Sequence, residues 1–249
     1  MPRYRWYHYA IALAILALAW EGLARWLDIA AFPRLGAALS AFLKGVGPGG
    51  PLPEHFLASA YRVAMSTLIS LALGVPLGLY LGRSGGPVGS VLVYLTYPVP
   101  KVVFLPVIMV VLGIGDESKI FLITLVIFFQ ILVTVKDAAA NVPRGLIRSV
   151  QSLGGSEWHI YRHVILPAVL PAIFTALRLS TGTAVAVLFF AETYATRQGL
   201  GSFVWDQWSM HAYGMMFAGV MAMALMGFGF YVLLDVAERY LCPWAEKQR

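Results

Sequence analysis

Six long apolar stretches, at about residues 8–27, 56–82, 87–113, 119–136, 164–191 and 212–235, decide what this chain can become. A hydrocarbon core about 30 Å thick is crossed by roughly 20 apolar residues of helix, and each stretch meets or approaches that length. Together they take more than half of the 249 residues. Composition agrees, with 59% apolar and 12% charged residues against about 45–50% and 25% in a soluble globular chain. The expectation is an all-α integral membrane protein of about six transmembrane helices. Several stretches exceed the minimum, and Pro76, Pro98, Pro100, Pro106 and Pro171 supply places for kinks.

The charges orient those spans. Lys and Arg number 18 against 12 Asp and Glu, a net charge of +6. In a chain so poor in charge this excess belongs to cytoplasmic loops, not to a nucleic-acid-binding face. Arg3, Arg5, Arg83, Lys136, Arg144, Arg148, Arg162, Arg239, Lys247 and Arg249 then lie inside, both termini are cytoplasmic, and 28–55, the Gly115–Ser118 turn and 192–211 lie outside. Arg34, Lys44, Lys119 and Arg197 fall in the outer segments, so the bias is modest. The Gly47–Pro53 run is expected to be an external loop. Arg3, Arg5, the apolar Tyr9–Ala19 core and the Ala17-Leu18-Ala19 site also fit a secretory signal; the first span is taken here as uncleaved. No Ser/Gly/Pro-rich linker divides the chain, so residues 1–249 are expected to form one transmembrane domain.

Two rows of small residues suggest how helices meet. Ser66, Ser70, Gly74, Gly78 and Gly82 recur every four residues, as do Ala168, Ala172, Ala176, Ser180 and Ala184. Such rows let backbones approach closely where lipid gives no hydrophobic drive, so they mark a bundle or dimer interface. The third stretch differs, because Tyr97-Pro98-Val99-Pro100-Lys101 sets two prolines and a cation within it. Each proline frees a carbonyl, which is tolerated only against protein or a water-filled cavity. Lys101 either faces a solute path or caps the broken helix. It reads as the only deeply placed charge, with Glu21, Glu192 and Asp235 near span ends.

Several chemistries lack their residues. There is no Gly-x-x-x-x-Gly-Lys-Ser/Thr loop, so ATP hydrolysis is not expected in this chain, nor is there a His-Glu-x-x-His or Gly-x-Ser-x-Gly motif. His159 and His163 share a helical face without acidic or thiol neighbours, and Cys242 is the single cysteine, so no metal, cofactor or internal disulfide is expected. Ion-coupled transport would want carboxylates or histidines in mid-span.

The polar interval at about 137–163 carries two short helices. Leu146, Val150 and Leu153 fall at helical spacing beside Ile147, opposite Arg148, Ser149, Gln151 and Ser152. Gly154-Gly155 can stop that helix and Ser156 can cap a second, through Trp158, Ile160 and Tyr161 toward Pro167. An amphipathic knuckle of this kind lies on a membrane surface or enters a groove in a partner.

Here the sequence resembles a family. Gly154, nine residues and Val164-x-Leu166-Pro167 are similar to the signature loop of ABC-importer permeases, the binding-protein-dependent transport inner-membrane components. Tyr97-Pro98-Val99-Pro100-Lys101, Leu105-Pro106 with Gly113-Ile114-Gly115, and Ala191-Glu192 with Gly199-Leu200-Gly201 resemble the nitrate/sulfonate/taurine branch. The resemblance runs from about Glu54 to Trp244. One departure stands out: the family's loop usually opens Glu-Ala-Ala where this chain has Arg148, Ser149 and Val150.

The resemblance implies a type I permease in a bacterial or archaeal cytoplasmic (inner) membrane, working as a pair, with a homodimer expected. It implies a cytoplasmic ABC ATPase dimer that holds ATP-Mg, and an external solute-binding protein that delivers a small solute such as nitrate, a sulfonate or taurine. Contact with the ATPase is then expected from Leu146, Arg148, Val150, Leu153, Gly154, Gly155 and Trp158, with Leu166 and Pro167, and a translocation path beside Pro98, Pro100, Lys101 and Glu192. The alternative is a self-sufficient channel or ion-coupled carrier. Purified alone in liposomes, a permease of this kind is expected to move no solute down an ion gradient; ion-driven uptake would favour the alternative.

Overall fold

Pro98 and Pro100 interrupt the third apolar stretch, and in the computed structural model, which describes residues 6–244, that stretch is not one helix. Neither proline can donate to a helical ladder, and each disfavours helical backbone in the residue before it. The stretch therefore divides into α4 (Pro87–Thr96) and, after a 3₁₀ turn over Lys101–Phe104, α5 (Leu105–Leu112), bent by 74° at the break. Every other regular element among the described residues is also helical. These are α1 (Trp6–Leu27), α2 (Leu35–Val46), α3 (Leu52–Arg83), α6 (Asp116–Ala140), α7 (Arg144–Ser152), α8 (Glu157–Ile160), α9 (Leu166–Glu192), α10 (Leu200–Ser209) and α11 (Tyr213–Leu241). A π turn over Tyr161–Ile165 joins α8 to α9. Five helical runs are long and apolar enough to cross a membrane, and the bent pair makes a sixth. Arg3, Arg5, Lys247 and Arg249, assigned above to the cytoplasmic ends, lie outside the described residues.

The segments 28–55 and 192–211 are not simply loops, since they contain α2 and α10. At 12 and 10 residues both are too short to register as spans.

The chain forms two units. One comprises the chain up to Ala60 with Glu192–Met226. Trp20, Phe32 and Phe217 hold it in a ring triangle with centroids 5.1–5.4 Å apart, and Trp20 Nε1 donates to the Pro33 carbonyl at 3.1 Å. The rest of α1 turns leucines such as Leu13, Leu16 and Leu18 outward, as a lipid-facing helix does.

The other unit comprises Tyr61–Ala191 with the chain from Gly227 onward. The first small-residue row is its seam, and it is an intrachain one, between α3 and α6. Ser66 Oγ donates to the Ile120 carbonyl at 3.1 Å and Ser70 Oγ to the Thr124 carbonyl at 3.2 Å. Lower down, a Cβ on Gly78 would stand 2.8 Å from the Val135 Cβ, and one on Gly82 would land on the Lys136 carbonyl oxygen. In the second row Ala176, Ser180 and Ala184 are buried and Ala168 is exposed. Around the seam, Ile131, Val135, Ile160, Ile165, Ile173 and Phe174 build an apolar core that also encloses Cys242. Burial, and to a lesser degree Glu238, pushes the Cys242 thiol above its ordinary pKa, so the neutral thiol is held.

Overpacking a well-filled interface costs about 1–3 kcal/mol. Gly82→Ala is expected to lower the unfolding midpoint in detergent accordingly. Gly182→Ala, in α9 with nothing within 4 Å of its Cβ position, should leave it unchanged or raise it. Equal midpoints for the two variants would remove the close-approach account.

Candidate functional site

The end of a helix leaves carbonyls unpaired and carries the negative pole of the helix dipole. At the break after α4 the chain supplies its own cation. Lys101, 9% exposed, donates from Nζ to the carbonyls of Thr96 (2.9 Å), Tyr97 (2.9 Å) and Val99 (3.2 Å), and stands 4.4 Å from the Phe129 ring centre. An ammonium has three N–H donors, and three carbonyls take them. Lys101 thus caps the broken helix. Pro98 and Pro100 stand exposed beside it. The arrangement recurs after α5, where Lys119 Nζ donates to the Ile114 carbonyl at 2.7 Å and the Gly115 carbonyl at 3.0 Å.

Lys101 is therefore not the only buried charge within the apolar stretches. Arg62 pairs with Asp116 at 2.6 Å, and Arg178 pairs with Glu238, with Asp235 3.9 Å away. Each partner lies 54 to 60 residues off, beyond any local pattern. Within α6, the Gln130 amide donates to Thr183 Oγ1 at 3.2 Å while its Oε1 is buried with no partner.

Glu192 ends α9, fully buried. Its carboxylate accepts from Ser59 Oγ at 2.8 and 2.9 Å and from the Gly201 N–H at 2.8 Å, in the first turn of α10 where a negative charge suits the helix dipole. Ser59 Oγ in turn accepts from the Leu200 N–H at 2.8 Å. His55 Nδ1 lies 2.8 Å from the Gly199 oxygen and 3.0 Å from its nitrogen. Placed by sequence on the translocation path, Glu192 is here the centre of a latch on α10. Sequence alone does not mark Ser59 or His55; Ser59 lies two helical turns before Ser66 on the same face of α3, the signal that points to it.

The knuckle keeps its expected outline. α7 stops at Ser152, Gly154 has φ +76°, and the Gly155 N–H donates to the Val150 carbonyl at 2.9 Å. A left-handed residue here reverses the chain, and glycine takes that conformation without strain. Ser156 then opens α8, its Oγ 2.6 Å from His159 Nδ1. His159 and His163 rings stack with centroids 6.2 Å apart, and no group of three His, Cys, Asp or Glu among the described residues could hold a metal ion. The second helix does not stop near Pro167. The Leu166 N–H reaches back to the Tyr161 carbonyl in a π turn, and the helix continues through Pro167 into α9.

The apolar residues of the knuckle divide. Ile147 and Val150 pack on the core, whereas Leu146, Leu153 and Trp158 are 51%, 88% and 67% exposed. Leu166 and Arg148 are also exposed and Pro167 is half-buried. The structure thus gathers Leu146, Arg148, Leu153, Gly154, Gly155 and Trp158 on one short reversal.

The sequence profile described as "Binding-protein-dependent transport system inner membrane component" matches residues 70–247. The taurine transport system permease protein of Escherichia coli is 32% identical over 240 residues, covering 93% of this chain and 87% of that one. A putative aliphatic sulfonates transport permease protein of the same organism is 28% identical over 225 residues, covering 88% and 84%. Among solved structures, an inward-facing MetNI methionine ABC transporter has a chain of the same fold, with a TM-score of 0.61 at 21% identity, over 75% of this chain and 94% of that one.

Lys101→Met leaves three carbonyls without their donor, and an orphaned buried acceptor costs about 1–3 kcal/mol. The variant is expected to unfold at a lower midpoint in detergent. An unchanged midpoint with solute uptake lost would instead return Lys101 to the solute path.

Proposed function

The chain belongs to the binding-protein-dependent transport system inner membrane components, the permeases of ABC importers, and from that membership we propose how its parts serve ATP-driven import. The knuckle meets cytoplasmic ATP-hydrolysing subunits, which hold ATP-Mg because this chain has no phosphate loop. The observation that carries this reading is the exposure of Leu146, Leu153 and Trp158 around the Gly154 reversal. Large apolar side chains exposed on a polar loop are characteristic of a docking site, and each is worth about 1.5–3 kcal/mol when buried. Arg148, Val150, Gly155, Leu166 and Pro167 shape and aim that patch.

Two copies of the chain work as a pair in a bacterial or archaeal cytoplasmic membrane, with both termini inside, and an external binding protein delivers the solute. ATP-driven closure of the ATPase pair draws the knuckles together and rocks the spans between inward-open and outward-open states. Pro98 and Pro100, exposed at the break, border the path; Lys101 and Glu192 shape it by holding the broken helix and α10. The solute is a small organic sulfonate or comparable small anion, a reading supported by the taurine and aliphatic sulfonate relatives.

A valine at position 154 would be held in left-handed backbone, at a strain of about 1–3 kcal/mol. That is small for a six-span bundle and large for aiming a contact. Gly154→Val is expected to insert and assemble normally while uptake in proteoliposomes falls at least about tenfold relative to ATP hydrolysed. Replacement of 144–163 by a Gly/Ser linker of equal length should release the ATPase altogether. Normal coupling in the first variant, or an intact complex in the second, would sink the assignment of this loop.

A further inference from the structure

Arg83, the last residue of α3, meets Glu157, the first residue of α8, across 74 positions of sequence. Its Nε donates to one carboxylate oxygen at 3.2 Å and its Nη2 stands 3.0 Å from both. In a forked contact of this kind the guanidinium fixes the direction of the carboxylate as well as its distance. Each charge also sits at the helix end whose dipole suits it, the cation at the C-terminus of α3 and the anion at the start of the helical run Glu157–Glu192. The side chains are 20% and 63% exposed, and a pair this open adds little to stability. What it supplies is orientation.

The knuckle is joined to its neighbours unequally. α6 leads into α7, and α8 runs through the π turn into α9, so those two spans are tied to it by the chain itself. α3 has no such link; among the described residues, its ion pair with the knuckle is Arg83–Glu157. Glu157 adjoins Trp158, one of the exposed docking residues, and Arg83 adjoins Gly82, where α3 is pressed against the Lys136 carbonyl of α6. We propose that Arg83 and Glu157 are positioning residues whose ion pair acts as a strut, making α3 follow the knuckle when the ATPase moves it. This rests on the reading of the knuckle as the ATPase contact and adds which further span takes up the displacement.

The test uses the full-length chain with Cys242→Ala, carrying nitroxide labels at Leu73→Cys in α3 and Ser152→Cys at the end of α7, both exposed positions. Diluted with unlabelled chain in nanodiscs, with and without the cognate ATPase, it reports the distance from span to knuckle by double electron–electron resonance. With Arg83 and Glu157 intact the distribution should be narrow, keep its mean when the ATPase is trapped with ATP-Mg and vanadate, and broaden as NaCl is raised. Arg83→Gln and Glu157→Gln should each broaden it about twofold and shift its mean on trapping, and the double variant should be no worse than either, because all three remove one and the same pair. Glu157→Arg should broaden it further, and adding Arg83→Glu should recover part of the loss, the reversed helix dipoles keeping the recovery incomplete. Unchanged widths in the Gln variants, or additive broadening in the double variant, would overturn the strut. So would a lowered unfolding midpoint, which marks a contact of the fold alone, or a loss of affinity for the ATPase, which places the two charges against the partner instead. Labels at Ser152→Cys in both copies of a pair give a separate check. If trapping leaves their separation unchanged, the reading of the knuckle falls, while the widths measured without the ATPase still decide whether the pair holds α3 to α8.

Discussion

A backbone carbonyl without a donor is among the costliest groups a chain can place at membrane depth, at several kcal/mol each. The two prolines after α4 create such groups, and the fold answers with lysines from the following turns. Lys101 closes the end of α4, and Lys119 holds the carbonyls of the Ile114–Gly115 turn before α6, each reaching back two to five residues along its own chain. The 74° bend is therefore a stapled joint. Without the Lys101 ammonium the carbonyls of Thr96, Tyr97 and Val99 at the break would lose their donor.

The α3–α6 seam is the complementary device. Where α3 carries hydroxyls, they donate to carbonyls of α6; where it carries glycines, the backbones close in until no Cβ fits. Hydrogen bonds and close packing replace the hydrophobic drive that lipid withholds. At the foot of the same seam the chain leaves α6, forms α7 and returns at Gly154, and Ile147 and Val150 root the knuckle in the apolar core of its unit.

How much of this was legible in the residues depends on the range over which each signal acts. Spans show in local hydropathy, and the Gly154 reversal shows because an amphipathic helix, two glycines and a capping serine sit side by side. The broken third span was visible as Pro98 and Pro100, but whether Lys101 would face a solute or its own carbonyls depended on backbone directions that no pattern encodes. Arg62 with Asp116 and Arg178 with Glu238 were hidden inside apolar windows, their partners brought close only by tertiary packing. The short helices α2 and α10 lacked the length that marks a span. The latch around Glu192 needed three segments at once: Gly201 lies nearby in sequence, but Ser59 is 133 residues away.

The same latch constrains biosynthesis. Ser59 leaves the ribosome 133 residues ahead of Glu192, and Gly201 nine residues after it. Between those moments α9 enters the bilayer with a carboxylate whose Gly201 donor is not yet available. The Glu192 end of α9 must stay near an aqueous face, or borrow water, until α10 arrives to close the shell. The order of emergence thus makes α10, a helix too short to cross the membrane, the piece whose arrival commits the preceding span to its final depth.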